Sequence, residues 1–211
     1  TVFVNLESFN NCSIDNLYYS INNSEKTRKK INSDIIGNLD YENDLLNSYS
    51  QVKINKGKKK VLLDKGEIFL NKNLDLKNKN IIIKNDVKIC LKNKSILNID
   101  NSKIINIGSK KISFIGCDEY PGSVIIKNSD INLNEIEISR LAAPEKRLNT
   151  LYGGLNIINS RLKANSLFIN SSLSEDGVNF INSDIEVTLV KSKNIQSDAV
   201  DSDYSNQIID E

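Results

Sequence analysis

The phrase Asp176-Gly177-Val178-Asn179 returns 22 residues later as Asp198-Ala199-Val200-Asp201, and GGLNIINSRL at 153–162 aligns with DGVNFINSDI at 176–185 at an offset of 23. The second alignment sets Leu155, Ile157, Ser160 and Leu162 opposite Val178, Phe180, Ser183 and Ile185. A unit this short, apolar between corners of Asn and Ser, cannot enclose a core by itself. It buries its apolar face only by stacking on copies of itself, which predicts an all-β solenoid built of strand coils.

The same register extends further. Asn101-Ser102-Lys103-Ile104 is followed by Asn128-Ser129-Asp130-Ile131, Asn159-Ser160-Arg161-Leu162 and Asn182-Ser183-Asp184-Ile185, at spacings of 27, 31 and 23. Ile131, Leu133, Ile136 and Ile138 recur as Leu162, Ala164, Leu167 and Ile169, and again as Ile185, Val187, Val190 and Ser192. Equivalent residues of adjacent parallel coils lie about 4.8 Å apart, so these positions are expected to form one apolar column. The outward positions agree, since Arg161 falls beside Asp184 and Lys163 beside Glu186, each a pair of opposite charges. Asn suits the corners because it tolerates the left-handed backbone conformation and its amide stacks into ladders.

Residues 1–60 lack the repeat and are expected to form a cap or lead-in. There Ser24 as an N-cap and the spacing of Ile31, Ile35, Ile36, Leu39, Leu45 and Leu46 predict one or two short helices within 24–49. The coils are expected over 61–211. The chain opens at Thr1-Val2-Phe3 without Met and stops at Ile209-Asp210-Glu211 where another coil should begin, so a larger parent protein and a truncated last turn are expected. With Lys+Arg 28 against Asp+Glu 27, no long-range field favours nucleic acid or an anionic membrane. No apolar run is long enough for a spanning helix. Cys12, Cys90 and Cys117 show no metal or disulfide spacing, so free, at least partly buried thiols are expected.

The unequal spacings locate loops. The extra residues of the longer coils fall in GCDEYPG (116–122) and AAPEKRLNTLYGG (142–154), both preceding the same strand. Insertions gathered at one corner often mark the binding face of a solenoid. At that corner Asn156, Asn179 and Asp201 are expected to form an outward ladder, with Asp203 along the same face and Asp176 and Asp198 at the preceding bend. Carboxylates stacked one coil apart repel, which raises at least one pKa and suits general acid/base chemistry. Asp176, Asp198 and Asp201 are therefore the candidate catalytic residues. Glu175, Asn179, Asp203, Arg140, Lys146, Arg147 and Tyr152 are the candidate binding residues, the basic side chains and the Tyr overhanging the acids. The bland alternative is that these Asp residues cap their own backbone. No metal is assigned and no cofactor is expected, although Glu175, Asp176, Asp198 and Asp201 are of the ligand type that calcium takes.

The Asn corners and inward Ile, Leu and Val over 61–211 resemble the right-handed parallel β-helix, or pectin-lyase-like, superfamily. LYGGLNIINS, NSSLSEDGVNF and QSDAVDSDYS resemble more closely a β-helix region of bacterial surface or secreted proteins that also carry CotH-like kinase domains. That resemblance implies an extracellular or cell-surface setting and further domains of the same chain. Polygalacturonase-like hydrolases offer a second comparison. Asp176-Gly177 matches their first acidic turn and Asp198 half of the second, but Ser197 replaces the other acid and the chain has His 0, so the His-Gly turn is missing. An inverting hydrolase also separates its carboxyl groups by about 6.5–9.5 Å, more than the roughly 4.8 Å of bare stacking. The expected function is thus a non-catalytic β-helix that binds or presents to carbohydrate or cell-surface material. The alternative is a carbohydrate-active enzyme, hydrolase or lyase, working through the stacked Asp residues; whether the chain is an enzyme stays open, and a plain spacer is the third class.

Overall fold

The computed structural model describes residues 60–63, 66–144 and 151–209, together with the backbone of three short strands, β1 (Leu17–Tyr19), β2 (Lys29–Ile31) and β3 (Val52–Ile54). The chain divides into two compact units, Thr1–Tyr41 and Glu42–Glu211. In the first, β1 and β2 pair antiparallel. The helices expected within 24–49 fall, apart from the strand Lys29–Ile31, outside the described residues.

The second unit is a parallel β-solenoid of about six turns. After β3, which pairs antiparallel with β4, the coils run β4 (Lys60–Leu63), β5 (Gly66–Leu70), β6 (Leu74–Lys77); β7 (Asn80–Ile83), β8 (Val87–Leu91), β9 (Ile96–Asp100); and β10 (Lys103–Asn106), β11 (Lys111–Gly116), β12 (Ser123–Lys127). In the later coils the first two strands merge. These are β13 (Asp130–Ser139) with β14 (Gly153–Ile158), β15 (Arg161–Asn170) with β16 (Asp176–Ile181), and β17 (Asp184–Lys193) with β18 (Asp198–Asp203), before β19 (Asn206–Ile209) begins the next turn. No helix occurs among the described residues.

Alternation explains these strands. In β13 and β15 alternating Ile, Leu and Ala are buried, with one shift of phase between Leu133 and Ile136 and between Ala164 and Leu167, while Asp130, Asn132, Arg161 and Lys163 are exposed. The buried set joins into one core from Val61 to Val187. The register is the one read from the repeats: Ile131, Leu162 and Ile185 are successive neighbours, as are Ile136, Leu167 and Val190. Arg161 faces Asp184 and Lys163 faces Glu186, and the second pair is an ion pair.

The corner leading into β7, β10, β13, β15, β17 and β19 is where neighbouring coils lock together. Asn78, Asn101, Asn128, Asn159 and Asn182 all have φ between 46° and 56°, and Tyr204 takes the same conformation at φ 53°. The next residue is Ser in all but the first of these corners, and Ser102, Ser129, Ser160 and Ser183 are buried. Each Ser Oγ accepts the backbone N–H of the equivalent residue one coil earlier, from Lys79 to Ser102 (3.0 Å), Ser102 to Ser129 (3.1 Å), Ser129 to Ser160 (3.0 Å), Ser160 to Ser183 (3.1 Å) and Ser183 to Ser205 (3.0 Å). The same hydroxyl donates to the carbonyl two residues back, as Ser160 does to Ile158 at 2.7 Å. Backbone groups that the sharp bend would leave buried and unpaired are satisfied in this way.

The cysteines correct the expectation of free thiols. Cys90 and Cys117 are joined in a disulfide across a separation of 27 residues, while Cys12 lies outside the described residues. Ile89 and Leu91 fill the core and Cys90 faces outward between them, so the bond ties β8 to the start of the 117–122 loop from outside the tube. Two cysteines a full coil apart carry no short-range spacing signal, which is why the pairing was not legible in the sequence.

Removing one hydroxyl from the spine should therefore be costly. Ser160→Ala strips Ser129 N–H of its acceptor in a buried setting and is expected to lower unfolding free energy by about 1–3 kcal/mol, with a smaller loss for Ser205→Ala, whose side chain is only half-buried. Urea titrations followed by circular dichroism check this; equal losses at the two positions would overturn it.

Candidate functional site

The eight extra residues of the 31-residue coil lie between its second and third strand segments, as expected. The 27-residue coil corrects the expectation, because its offset to the next coil falls from 27 at Lys103–Asp130 to 24 at Lys111–Glu135, which places three of its four extra residues between β10 and β11 and not in 116–122. The third segments form a sheet ordered β18-β16-β14-β12-β9-β6. Its ladder joins Gly153, Asp176 and Asp198, then resumes at Leu155, Val178 and Val200, stepping over Gly154, Gly177 and Ala199. A Cβ at Gly177 would lie 2.6 Å from Ile169 Cγ2 and 2.7 Å from the Ala199 carbonyl oxygen, so this position faces the core. Val178 faces the core as well. Two inward positions in succession leave Asp176 and Asn179 together on the outer side, which strict alternation would forbid.

On that side Asn179 hydrogen-bonds Asp176 and donates through Nδ2 to Asp201 Oδ2 at 3.3 Å. Asp201 Oδ1 accepts the Ser202 N–H at 2.8 Å. One coil earlier Asn156 turns back on its own strand, donating to the Gly153 carbonyl at 2.7 Å and accepting its N–H at 3.3 Å. A Cβ at Gly153 would sit 2.9 Å from Asn179 Cβ, so Gly153 makes room for the neighbouring coil. Asn179 Oδ1 and Ser202 Oγ are buried and have no protein partner.

The ladder Asn156, Asn179, Asp201 has the expected register, but its surroundings differ from the solvent-facing row that alternation implies. Asn156 and Asn179 are 0% and 1% exposed, and Asp176 is 4% exposed. Asp198, Asp203 and Glu175 are exposed and Asp201 is half-buried. Burial, then the negative charges of Asp201, Glu175 and Asp198, push the Asp176 carboxyl up to about 6, against the opposing hydrogen bond from Asn179. The structure thus gathers Asp176, Asn179, Asp198, Asp201 and Glu175. Asp203 stands further along β18, opposite Ile181.

Of the overhanging residues, Tyr152 is half exposed and its carbonyl accepts the Asp176 N–H at 3.3 Å. Arg140 is exposed at φ 53°, its N–H held by the Ser171 carbonyl, and no ion pair links it to the acids among the described residues. Lys146 and Arg147 lie outside the described residues. Among the described residues no group of three or more His, Cys, Asp or Glu is arranged to hold a metal ion. In chemical terms the cluster sets one carboxyl raised to about 6 beside the acidic side chains of Asp198, Asp201 and Glu175, an arrangement of the kind that acid/base catalysis uses.

Two features escaped sequence reasoning. Asp118 ties adjacent loops together, accepting the Asn93 N–H at 2.9 Å and the Tyr120 N–H at 3.0 Å, while Lys94 N–H reaches the Tyr120 carbonyl at 2.7 Å. The second is a polar groove of about 890 Å³ along the Asn-Ser corner, running from Asn78 through Asn101, Asn128, Asn159 and Asn182 to Asn206. The repeated Asn-Ser dipeptide was its sequence signal, legible as a corner and not as a surface. Comparison with protein-family models, curated proteins and solved structures finds no match to this chain.

The raised Asp176 pKa has a definite sign in stability. Its folded value of about 6 lies above the ordinary 3.8, so its contribution is fully present below pH 4 or so and is lost as pH rises through 6. Asp176→Asn is expected to flatten the stability profile over that window and to gain about 1–3 kcal/mol at pH 7.5. Urea midpoints of both proteins at pH 4.5 and 7.5 measure it; parallel profiles would show that Asp176 carries no such penalty.

Proposed function

We propose that the solenoid is a non-catalytic binding domain of a larger surface or secreted protein, holding or presenting to carbohydrate or cell-surface material. The observation that carries this reading is the corner groove. Its lining of side-chain amides, hydroxyls and charged groups repeats once per coil over the length of the stack, and a continuous polar trough fits an extended hydroxyl-rich polymer better than a compact metabolite. The Cys90–Cys117 disulfide suits an oxidising, extracytoplasmic compartment. No helix of the described residues is long and apolar enough to cross a membrane. Kinship with pectin-lyase-like β-helices, and with the β-helix region that accompanies CotH-like kinase domains, belongs to the same proposal and rests on the phrases at 151–160, 170–180 and 196–205.

Asp176 favours a second reading, a carbohydrate-active enzyme. A carboxyl group with a pKa of about 6 next to Asp198 and Asp201 is a serviceable proton donor. Against it stands burial, since a group 4% exposed offers a glycosidic oxygen little access. The two readings separate in one experiment. The protein is expected to retain polysaccharides in affinity electrophoresis while releasing no reducing ends over hours, with retention unchanged in Asp176→Asn and Asp198→Asn. Release of reducing ends that disappears in Asp176→Asn would establish the enzyme instead.

A further inference from the structure

Resting on that reading, we infer that the groove takes an uncharged, extended polysaccharide laid along the solenoid axis and touched once per coil, and not an acidic polymer. One wall of the groove is a charge ladder. Lys103, Asp130, Arg161 and Asp184 are successive register neighbours in β10, β13, β15 and β17 and all border the groove. Lys103 Nζ lies 3.8 Å from Asp130 Oδ2, and Asn206 donates to Asp184 Oδ1 at 2.9 Å. With signs alternating at about 4.8 Å, well inside the screening length of physiological salt, these four charges cancel along the wall, and among the described residues only Lys79 at its far end adds a further cation to the lining. A polyanion lying there would meet a carboxylate at every second coil.

The corner itself supplies the other contacts. Asn101 donates to Asn78 Oδ1 at 2.6 Å, Asn128 to Asp100 Oδ1 at 2.8 Å and Asn182 to Asn159 Oδ1 at 2.8 Å. Each such amide spends one of its two hydrogens along the axis, which leaves a donor, beside carbonyl lone pairs, for a ligand. Hydroxyls both donate and accept and match that mixture, whereas carboxylates and phosphates only accept. Single-stranded nucleic acid is disfavoured on separate grounds, because it requires an aromatic platform under successive bases and a basic channel. Among the described residues the only aromatic side chain bordering the groove is Tyr204, 94% exposed at one end, where it can stack on one sugar. The left-handed Asn corners, locked by the serine spine, hold the array ready-made, so binding costs little ordering.

The test uses isothermal titration of the full chain with three uncharged polymers (mixed-linkage β-glucan, mannan and chito-oligosaccharide) and two acidic ones (polygalacturonate and heparin), at 20 and 500 mM NaCl. At least one uncharged polymer is expected to bind with an affinity that changes less than threefold with salt, and the acidic ones at least tenfold more weakly. Asn128→Gly with Asn159→Gly keeps the positive φ while deleting two amides, and is expected to weaken binding at least tenfold. Asp130→Trp, at an exposed position, obstructs the groove without touching the core and should do the same. Tighter, salt-sensitive binding of an acidic polymer would overturn the inference and leave the binding role standing. Uncharged binding unaffected by either variant would overturn the groove as its location, and binding of none of the five would overturn the proposed function itself.

Discussion

A column of serine hydroxyls holds the coils in register. Parallel ladders fix the spacing between turns, but a ladder alone tolerates slippage by two residues with every side chain still facing its proper side. The Ser102, Ser129, Ser160, Ser183 and Ser205 hydroxyls remove that freedom, because each accepts an N–H at one definite point of the coil before it and bonds its own backbone in the same turn. Since the Ser sits just after a residue whose φ is positive, the bend and the bond specify each other. The insertions fall at the other bends, the longest between the second and third strands of the fourth coil and a shorter one between β10 and β11 of the third.

The acidic site arises where alternation fails. Gly177 turns inward next to Val178, and the displaced phase brings Asp176 and Asn179 to one side, against Asp201 of the next coil. Burial and three neighbouring negative charges then act in the same direction on Asp176, and a single hydrogen bond from Asn179 opposes them. Two carboxylates elsewhere on the outer surface shift the other way. Asp100 is held below the usual range chiefly by the Asn128 hydrogen bond, and Glu137, which burial alone would raise, is held down by the Ser113 hydroxyl and Lys111. The contrast marks Asp176 as a carboxyl tolerated for its position in the coil, with no cation among the described residues to balance it.

Much of the fold was legible because a solenoid writes its contacts as fixed offsets. Ile131 with Leu162 and Ile185, and Lys163 with Glu186, could be paired from spacing alone and are so paired. Exposure was less legible. Asn156 and Asn179 sit on the outer side as expected, yet outer does not mean solvated: Asn156 folds back onto Gly153, and that glycine lets Asn179 approach closely. The Cys90–Cys117 bond and the Asp118 contacts join points a coil apart with no repeated partner elsewhere, so no periodicity announced them. The Asn-Ser corners were read correctly as bends, while their collective trough appears only once the coils are stacked.

The disulfide also bears on mechanics. In a stack where each turn touches only the turns beside it, tension applied at one end peels coils away singly, each resisting with little more than its own ladder. Cys90 and Cys117 place one covalent rung between the second and third coils. Tension running down from β19 would reach Cys117 and cross the disulfide to Cys90, so the segment between the two cysteines could not pay out as slack chain. The fold therefore contains a built-in limit to how far it can be extended by force, set by a single pair of sulfur atoms.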